Sequence, residues 1–198
     1  LSLSACQPPQ QVTTTRPDIS HLILFIFSQQ SGDFITAAGL YLSLAENAKK
    51  QHQSQYYLRA ALAFWQADDV DQASINLAKV KREALSPLQQ LDAGILEADI
   101  SLISYQAEQA LSALESFNIY DLDSEQSKQI LELRIQAYDL TENWLEKANS
   151  HIALDPLLSD LDRDENQKVL WQSLMSMTSQ SLDLFNPGMP PAIDSGWF

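Results

Sequence analysis

Residues 70–80, VDQASINLAKV, carry apolar side chains at their first, fourth, eighth and eleventh positions. Side chains with this spacing lie on one face of an α-helix. Residues 107–117, AEQALSALESF, repeat the spacing 37 positions further on, and residues 34–44, FITAAGLYLSL, carry it 36 positions earlier. The stretch therefore predicts an amphipathic helix that recurs at a regular interval, which is typical of helical repeat proteins.

The small residue on this face is the same in every copy. A fourth copy begins at Leu145, continues through Ile152, and is interrupted at its last position by Asp155. Alanine lets a partner helix approach closely, because the distance between helix axes depends on the side chains at the contact. We therefore expect burial between paired helices for the four alanines at the second apolar position, Ala37, Ala73, Ala110 and Ala148.

A second helix precedes each copy, and its apolar face is interrupted by glutamine in two repeats. The residues of this face are Leu22, Phe25 and Gln29, then Leu58, Ala61 and Trp65, then Ile95, Ala98 and Leu102, and finally Leu133, Gln136 and Leu140. Turn or capping residues separate the predicted helices, at Ser31-Gly32-Asp33, Asp68-Asp69, Ser86-Pro87, Asp123-Ser124 and Thr141. Ser and Asp are preferred N-caps, and Pro is common at the first helical position. The chain thus predicts helix pairs joined by short turns.

These helices pair into four hairpins, which we place at residues 19–50, 54–82, 87–118 and 124–154. The predicted fold class is all-α: a right-handed α-solenoid of tetratricopeptide-like hairpins, with an interval slightly longer than that of a tetratricopeptide repeat. Residues 155–166 predict a turn-rich acidic passage, and residues 167–185 predict a C-terminal capping helix or helix pair that is broken near Met177. The repeat domain is therefore expected to span residues 19–185.

The start of the chain has a different character. Leu3-Ser4-Ala5-Cys6 has the form of a bacterial lipobox, and a polar tether follows the only cysteine. We expect signal peptidase to cleave before Cys6 and its thiol to be lipidated, so that residues 1–18 comprise a signal-peptide remnant, the lipobox and a flexible tether. Gln7 stands where Asp would favour inner-membrane retention. The anchor is therefore expected in the outer membrane, facing the periplasm.

Composition and motifs exclude several classes of function. The net charge is −14, from 26 acidic and 12 basic residues. Nucleic-acid binders carry basic stripes, so we expect no nucleic-acid partner. The chain contains no G-x-S-x-G motif, no glycine-rich phosphate loop and no H-E-x-x-H motif. We therefore predict no catalytic residue, no cofactor and no metal ligand.

The remaining candidates for chemistry are predicted to be structural. Three histidines are far apart and are expected at the surface or at helix ends: His21, His52 and His151. Carboxylate pairs, such as Asp68-Asp69 and Asp164-Glu165, are expected to cap helices or to stay solvated in turns. Most aromatic residues are expected in the core, with one or two available to line a concave face: Tyr56, Tyr57, Phe64, Trp65, Tyr105, Tyr138, Trp144 and Trp171.

The end of the chain predicts a linker. Residues 186–198 are rich in Pro and Gly and close on Trp197-Phe198, so we expect them to lead to a further C-terminal domain. Together with the lipobox and the hairpins, residues 170–185, LWQSLMSMTSQSLDLF, resemble the N-terminal domain of the LpoA family of outer-membrane lipoproteins. The residues that carry the resemblance are Trp171, Leu174, Met177, Thr178 and Gly196-Trp197.

The resemblance implies a regulator and not an enzyme. Members of that family activate a class A penicillin-binding protein, and their C-terminal half carries the main contact to this synthase. The present chain is then expected to be an anchored spacer and interaction domain, with peptidoglycan or another envelope protein as further partners. Two alternatives stay open: the non-catalytic superhelical arm of a cell-wall hydrolase resembling lytic transglycosylases, and a general peptide-binding repeat module.

Overall fold

The computed structural model describes residues 33–177, and within that range the chain is helical with no β-strand. The α-helices are α1 (Phe34–Asn47), α2 (Lys50–Gln66), α3 (Val70–Leu77), α4 (Pro87–Ile103), α5 (Ala107–Leu114), α6 (Ser124–Leu140), α7 (Trp144–Leu154) and α8 (Asp160–Ser176). Short 3-10 turns lie at Arg82–Ala84, Ile119–Asp121 and Asp155–Leu157. The all-α prediction is confirmed, whereas the right-handed superhelical path stays a prediction.

The predicted repeat is visible in the positions at which the helices begin. The helices α2, α4, α6 and α8 are each 17 residues long. They begin 37, 37 and 36 positions apart, and α3, α5 and α7 each begin 20 positions after the start of the helix before them. The helix α8 therefore occupies the position of the first helix in another repeat.

Side-chain caps explain most of these helix starts. Asp69 and Asn143 accept hydrogen bonds from main-chain N–H groups in the first turns of α3 and α7, at 3.0 and 3.3 Å. Ser86 and Asp123 form capping boxes at the starts of α4 and α6. In each box, the side-chain oxygen of a glutamine three residues later accepts a hydrogen bond from the main-chain N–H of the cap residue. Both capping sites were predictable from the sequence, because Ser and Asp satisfy the free N–H groups at a helix start.

The two helices of each complete hairpin are joined by the same tight turn. Its central residue has a positive φ, at 59° in Asp68, 57° in Tyr105 and 53° in Glu142. The N–H of the next residue donates to a carbonyl five positions back, as from Asp69 to Phe64 at 2.9 Å. This is the Schellman motif, in which glycine is the favoured central residue. Gly32 holds the corresponding position in the sequence, but it lies outside the described residues.

The chain divides into two compact units between Val80 and Lys81. In the first unit, α2 packs against both α1 and α3. In the second unit, each helix from α4 to α8 packs against the next. The four alanines predicted to be buried, Ala37, Ala73, Ala110 and Ala148, are all 0% exposed, which confirms the periodicity.

A single apolar cluster in the second unit connects α4, α5 and α6. Leu114 of α5 and Ile130 of α6 are both 0% exposed in it. Gly94 of α4 is required by close packing, because a Cβ atom there would lie 2.5 Å from the Phe117 ring and 3.1 Å from the main-chain oxygen of Ala113. Any larger residue at this position would force the end of α5 away from α4.

The connections that lead into α4, α6 and α8 share one feature that residue types do not reveal. The fourth residue of each of these helices donates from its side chain to carbonyl groups of the preceding connection. Gln90 bonds the carbonyls of Arg82 and Leu85, both at 3.1 Å. Ser127 bonds the Ile119 carbonyl at 2.7 Å, and Arg163 bonds two more at 3.3 Å. These bonds satisfy partly buried main-chain acceptors and attach the start of each of these helices to the connection before it.

The predicted acidic turn over residues 155–166 is wrong in its second half, because α8 begins at Asp160. Ser159 caps the helix, and the carboxylates of Asp160 and Asp162 lie in its first turn, where the helix dipole favours negative charge. The helix then ends at Ser176, close to the predicted break at Met177.

Two further details of the predicted repeat are corrected. The second hairpin begins at Lys50 and not at residue 54, since Lys49 is extended and offers no side-chain cap that the sequence could signal. The predicted apolar face of α6 is also misplaced: Gln136 is exposed and Leu140 is 44% exposed. The buried face is Ile130, Leu133 and Ala137, which has the same spacing three residues earlier.

Candidate interaction surface

The predicted lipidation site lies outside the described residues. Cys6, the tether that follows it and His21 all precede Asp33, where the description begins. Lipidation of Cys6 therefore stays a prediction.

The other two histidines differ from each other. His52 is exposed, as expected. His151 lies in the last turn of α7, which agrees with the expected helix-end position, but it is only 6% exposed and therefore does not lie at the surface. Its Nδ1 lies 2.6 Å from Oδ1 of Asn166, so this amide takes the place of water as the partner of the ring nitrogen. Among residues 33–177, no cluster of three or more His, Cys, Asp or Glu side chains could hold a metal ion.

The predicted carboxylate pairs of the described residues have separate structural positions. Asp68 and Asp69 lie in the turn before α3, as predicted. Asp164 and Glu165 are exposed on α8 and therefore do not lie in a turn. The perturbed carboxyl group is Asp99 in the middle of α4, where burial raises the pKa to about 6. Burial also raises the pKa of Asp92, seven residues earlier on the same helix face.

Asp99→Asn should make the protein more stable than the wild type at about pH 7, with the difference vanishing near pH 4. A raised pKa means that the folded state keeps a proton that the unfolded state has released. The wild type therefore loses stability as pH rises from about 4 to about 6. Thermal unfolding over this pH range measures the effect. Asp164→Asn, which removes an exposed carboxylate of α8 beyond its first turn, is the control for net charge and should change the stability little at both pH values.

The expectation that most of the eight aromatic residues lie in the core is not met: Phe64 alone is buried, five are half-buried, and two are exposed. Phe64 is 8% exposed in the core of the first unit, and Trp144 packs against the cluster between α7 and α8. Three aromatic side chains of the described residues project into solvent: Tyr105 is 82% exposed in the turn between α4 and α5, Tyr120 is 86% exposed in the 3-10 turn after α5, and Trp171 is 50% exposed on α8. These three are the aromatic candidates for contact with a partner.

The described residues form an open cleft in each unit. In the first unit a cleft of about 220 Å³ is lined by Phe34, Tyr41 and Arg59, with the Arg59 guanidinium 5.7 Å from the centre of the Tyr41 ring. In the second unit a cleft of about 490 Å³ lies between the starts of α4 and α6 and the end of α5. Leu88 and Phe117 contribute apolar surface to it, with amide and carboxylate groups beside them.

Sequence reasoning missed the environments of two polar side chains, Asp99 and His151. The Asp99 carboxyl is distinctive only through its burial, which a single acidic residue in a helix does not signal. The contact of His151 with Asn166 joins residues 15 positions apart on two helices.

In the described part of the chain, none of the helices has the length and apolar character needed to cross a bilayer.

The fold is similar to that of a known domain. The crystal structure of the E. coli LpoA amino-terminal domain matches with a TM-score of 0.51 at 21% sequence identity, over 76% of this chain and 68% of that chain. At this level of identity the likeness concerns the fold alone.

Curated relatives cover the same region. The penicillin-binding protein activator LpoA of Vibrio vulnificus is 22% identical over 157 residues, or 79% of this chain. The protein of the same name from Mannheimia succiniciproducens is 25% identical over 167 residues, or 83% of this chain. The chain spans only 26% and 29% of the lengths of these relatives.

A family model matches most of the chain. The family described as LppC putative lipoprotein matches residues 32–197, which include all eight described helices. The match covers far more than half of the sequence and agrees with the fold likeness. The chain therefore belongs to the LppC lipoprotein family.

Proposed function

We propose that this chain is a non-catalytic interaction domain of an outer-membrane lipoprotein that activates a class A penicillin-binding protein. The observation that carries the proposal is the match, over about four-fifths of the chain, to two curated relatives whose names state activation of a penicillin-binding protein. The chain spans less than a third of each relative, so we assign it the part of an anchored arm. A further domain would make the main contact with the synthase.

The sequence and the fold support such an arm. The lipobox ending at Cys6 provides a route to a lipid anchor, and acyl chains on the cysteine would hold the protein at the membrane. Regular helical repeats provide reach, because each added hairpin extends the array by a similar amount. The exposed side chains of Tyr105 and Trp171 provide surface for peptidoglycan or another envelope protein.

Anchoring is tested in the full-length precursor. Cys6→Ala should abolish lipidation and release the protein into the soluble periplasm, measured by fractionation and by incorporation of labelled fatty acid. Ser4→Ala, which keeps a small residue in the lipobox, is the control and should stay in the outer membrane. Membrane retention of the Cys6→Ala protein would contradict the lipobox assignment.

The arm is tested by shortening it by one repeat. Deletion of residues 87–123 joins Ser86 to Ser124, so that Ser86 replaces Asp123 as the cap of α6 and Gln126 still completes the capping box. We expect the folded, full-length deletion protein to bind the purified synthase normally but to support less synthase activity in cells. Unchanged synthase activity in cells would contradict the proposed role of the repeats as a spacer. Stimulation of the purified synthase by the 198-residue chain alone would place the activating contact on the repeats instead.

A further inference from the structure

A buried polar pair joins α7 to α8. His151 of α7 and Asn166 of α8 are each 6% exposed. The amide nitrogen of Asn166 donates to the main-chain oxygen of His151 at 3.0 Å. This bond orients the amide so that its oxygen faces the histidine ring, with 2.6 Å between Asn166 Oδ1 and His151 Nδ1. Because an amide oxygen can only accept, Nδ1 must carry the proton of the neutral ring.

Protonation of the other ring nitrogen, Nε2, is unfavourable. Nε2 of His151 is fully buried and has no hydrogen-bond partner among the described residues. In the neutral ring it is an unprotonated acceptor. Protonation would place a charged N–H donor in the same position without an acceptor, which costs the full desolvation penalty of that group.

The charged groups near His151 do not offset this cost. Lys147 of α7 pairs with Asp139 of α6, and Lys147 is the more buried of the two, with a side chain 12% exposed. Asp155, which leads from α7 toward α8, is paired with Arg163 of α8. Burial lowers the pKa of His151 most, and Lys147 lowers it further, while the Asn166 bond and Asp139 act in the opposite direction.

We propose that protonation of His151 releases α8 from α7, so that this end of the second unit is closed at neutral pH and opens in mild acid. Release would break both bonds between His151 and Asn166 and let water reach Nε2. It would also expose the small apolar cluster of Ala148, Leu170 and Met177, against which Trp144 packs. The histidine thereby links the proton concentration to the exposure of apolar surface.

The direction of the effect follows from linkage. The pKa of His151 lies below its ordinary value of 6.5 when α8 is packed, so the released state binds the proton more readily. The attachment is therefore at full strength above about pH 6.5 and weakens as pH falls, by up to about tenfold in the closed-to-open ratio for each pH unit.

Amide hydrogen exchange on the 198-residue chain tests the proposal. After correction for intrinsic rates, exchange in α8 should be up to about tenfold faster at about pH 5.5 than at about pH 7.5, while exchange in α5 should change little. His151→Asn keeps an N–H donor near the position of Nδ1 and cannot titrate, so its exchange in α8 should be independent of pH. His52→Gln removes an exposed histidine and should behave like the wild type.

A measurement on the wild type keeps the test valid if His151→Asn does not fold. Ring nitrogen NMR shifts should show His151 protonated at Nδ1 and unprotonated at Nε2 at neutral pH, and titrating below the ordinary histidine value of 6.5. A ring protonated at Nε2, a titration midpoint at or above this ordinary value, or pH-independent exchange in wild-type α8 would each overturn the proposal.

Discussion

Leu114→Ala should lower the free energy of unfolding of the second unit by about 2–5 kcal/mol, the largest loss that we expect from one substitution. Leu114 is 0% exposed and lies near the end of α5, a helix of only eight residues. It contributes to the cluster in which α4, α5 and α6 meet, so its removal leaves a cavity bordered by all three. A short helix has few other apolar contacts with which to compensate.

Denaturant unfolding, followed by circular dichroism, measures this loss. Leu161→Ala is the matched control, because Leu161 also lies in a helix of the second unit but is 86% exposed. It should change the unfolding free energy by no more than about 0.5 kcal/mol. If the two variants have equal stabilities, Leu114 does not occupy the core position assigned to it.

Ala110→Leu should destabilise the second unit by about 1–3 kcal/mol through overpacking. Ala110 of α5 and Ala98 of α4 are both 0% exposed in the same cluster, and Gly94 is held even closer to the end of α5. The added side chain must therefore push α5 away from α4 or adopt an unfavourable rotamer. The thermal midpoint should fall accordingly.

The same change at two other alanines, one buried and one exposed, isolates the effect of burial. Ala73→Leu should be destabilising in the first unit for the same reason, since Ala73 is also 0% exposed. Ala78→Leu, at the exposed end of α3, should be nearly neutral. An unchanged thermal midpoint in both Ala73→Leu and Ala110→Leu would mean that these alanines do not mark close helix contacts.

The repeat was predictable because its most regular features are carried by residue type. An alanine at the same position of four helices, and Ser86 or Asp123 before a helix start, have physical effects that are the same wherever they occur. The four alanines and both capping boxes accordingly lie where the sequence predicts them.

Other features depend on position and not on residue type, so the sequence conceals them. Gln90, Ser127 and Arg163 have the same role at the fourth residue of three helices, although their side chains share little beyond a donor group. Tyr105 and Glu142 adopt a conformation that favours glycine. The face of α6 was misassigned because Leu133 and Leu140, which lie seven residues apart, indicate a face that the buried side chains share only at Leu133.

Part of the functional prediction could likewise be made from the sequence, and part could not. Family membership could be inferred, since the repeats and the segment near Trp171 extend over most of the chain. The buried histidine could not, because its environment is created by α8, whose first half reads as an acidic turn. Lipidation at Cys6 stays a prediction that the described residues do not test.

The tight turn within each hairpin has a mechanical consequence. Only three residues separate α2 from α3, α4 from α5 and α6 from α7, and main-chain hydrogen bonds hold each of these turns. Nine residues lie between α3 and α4, and nine between α5 and α6. A pulling force on a tethered chain would therefore be absorbed first in the longer connections, with each hairpin moving as a stiff element. The side-chain hydrogen bonds of Gln90 and Ser127 to these connections would then be among the first contacts to be stretched.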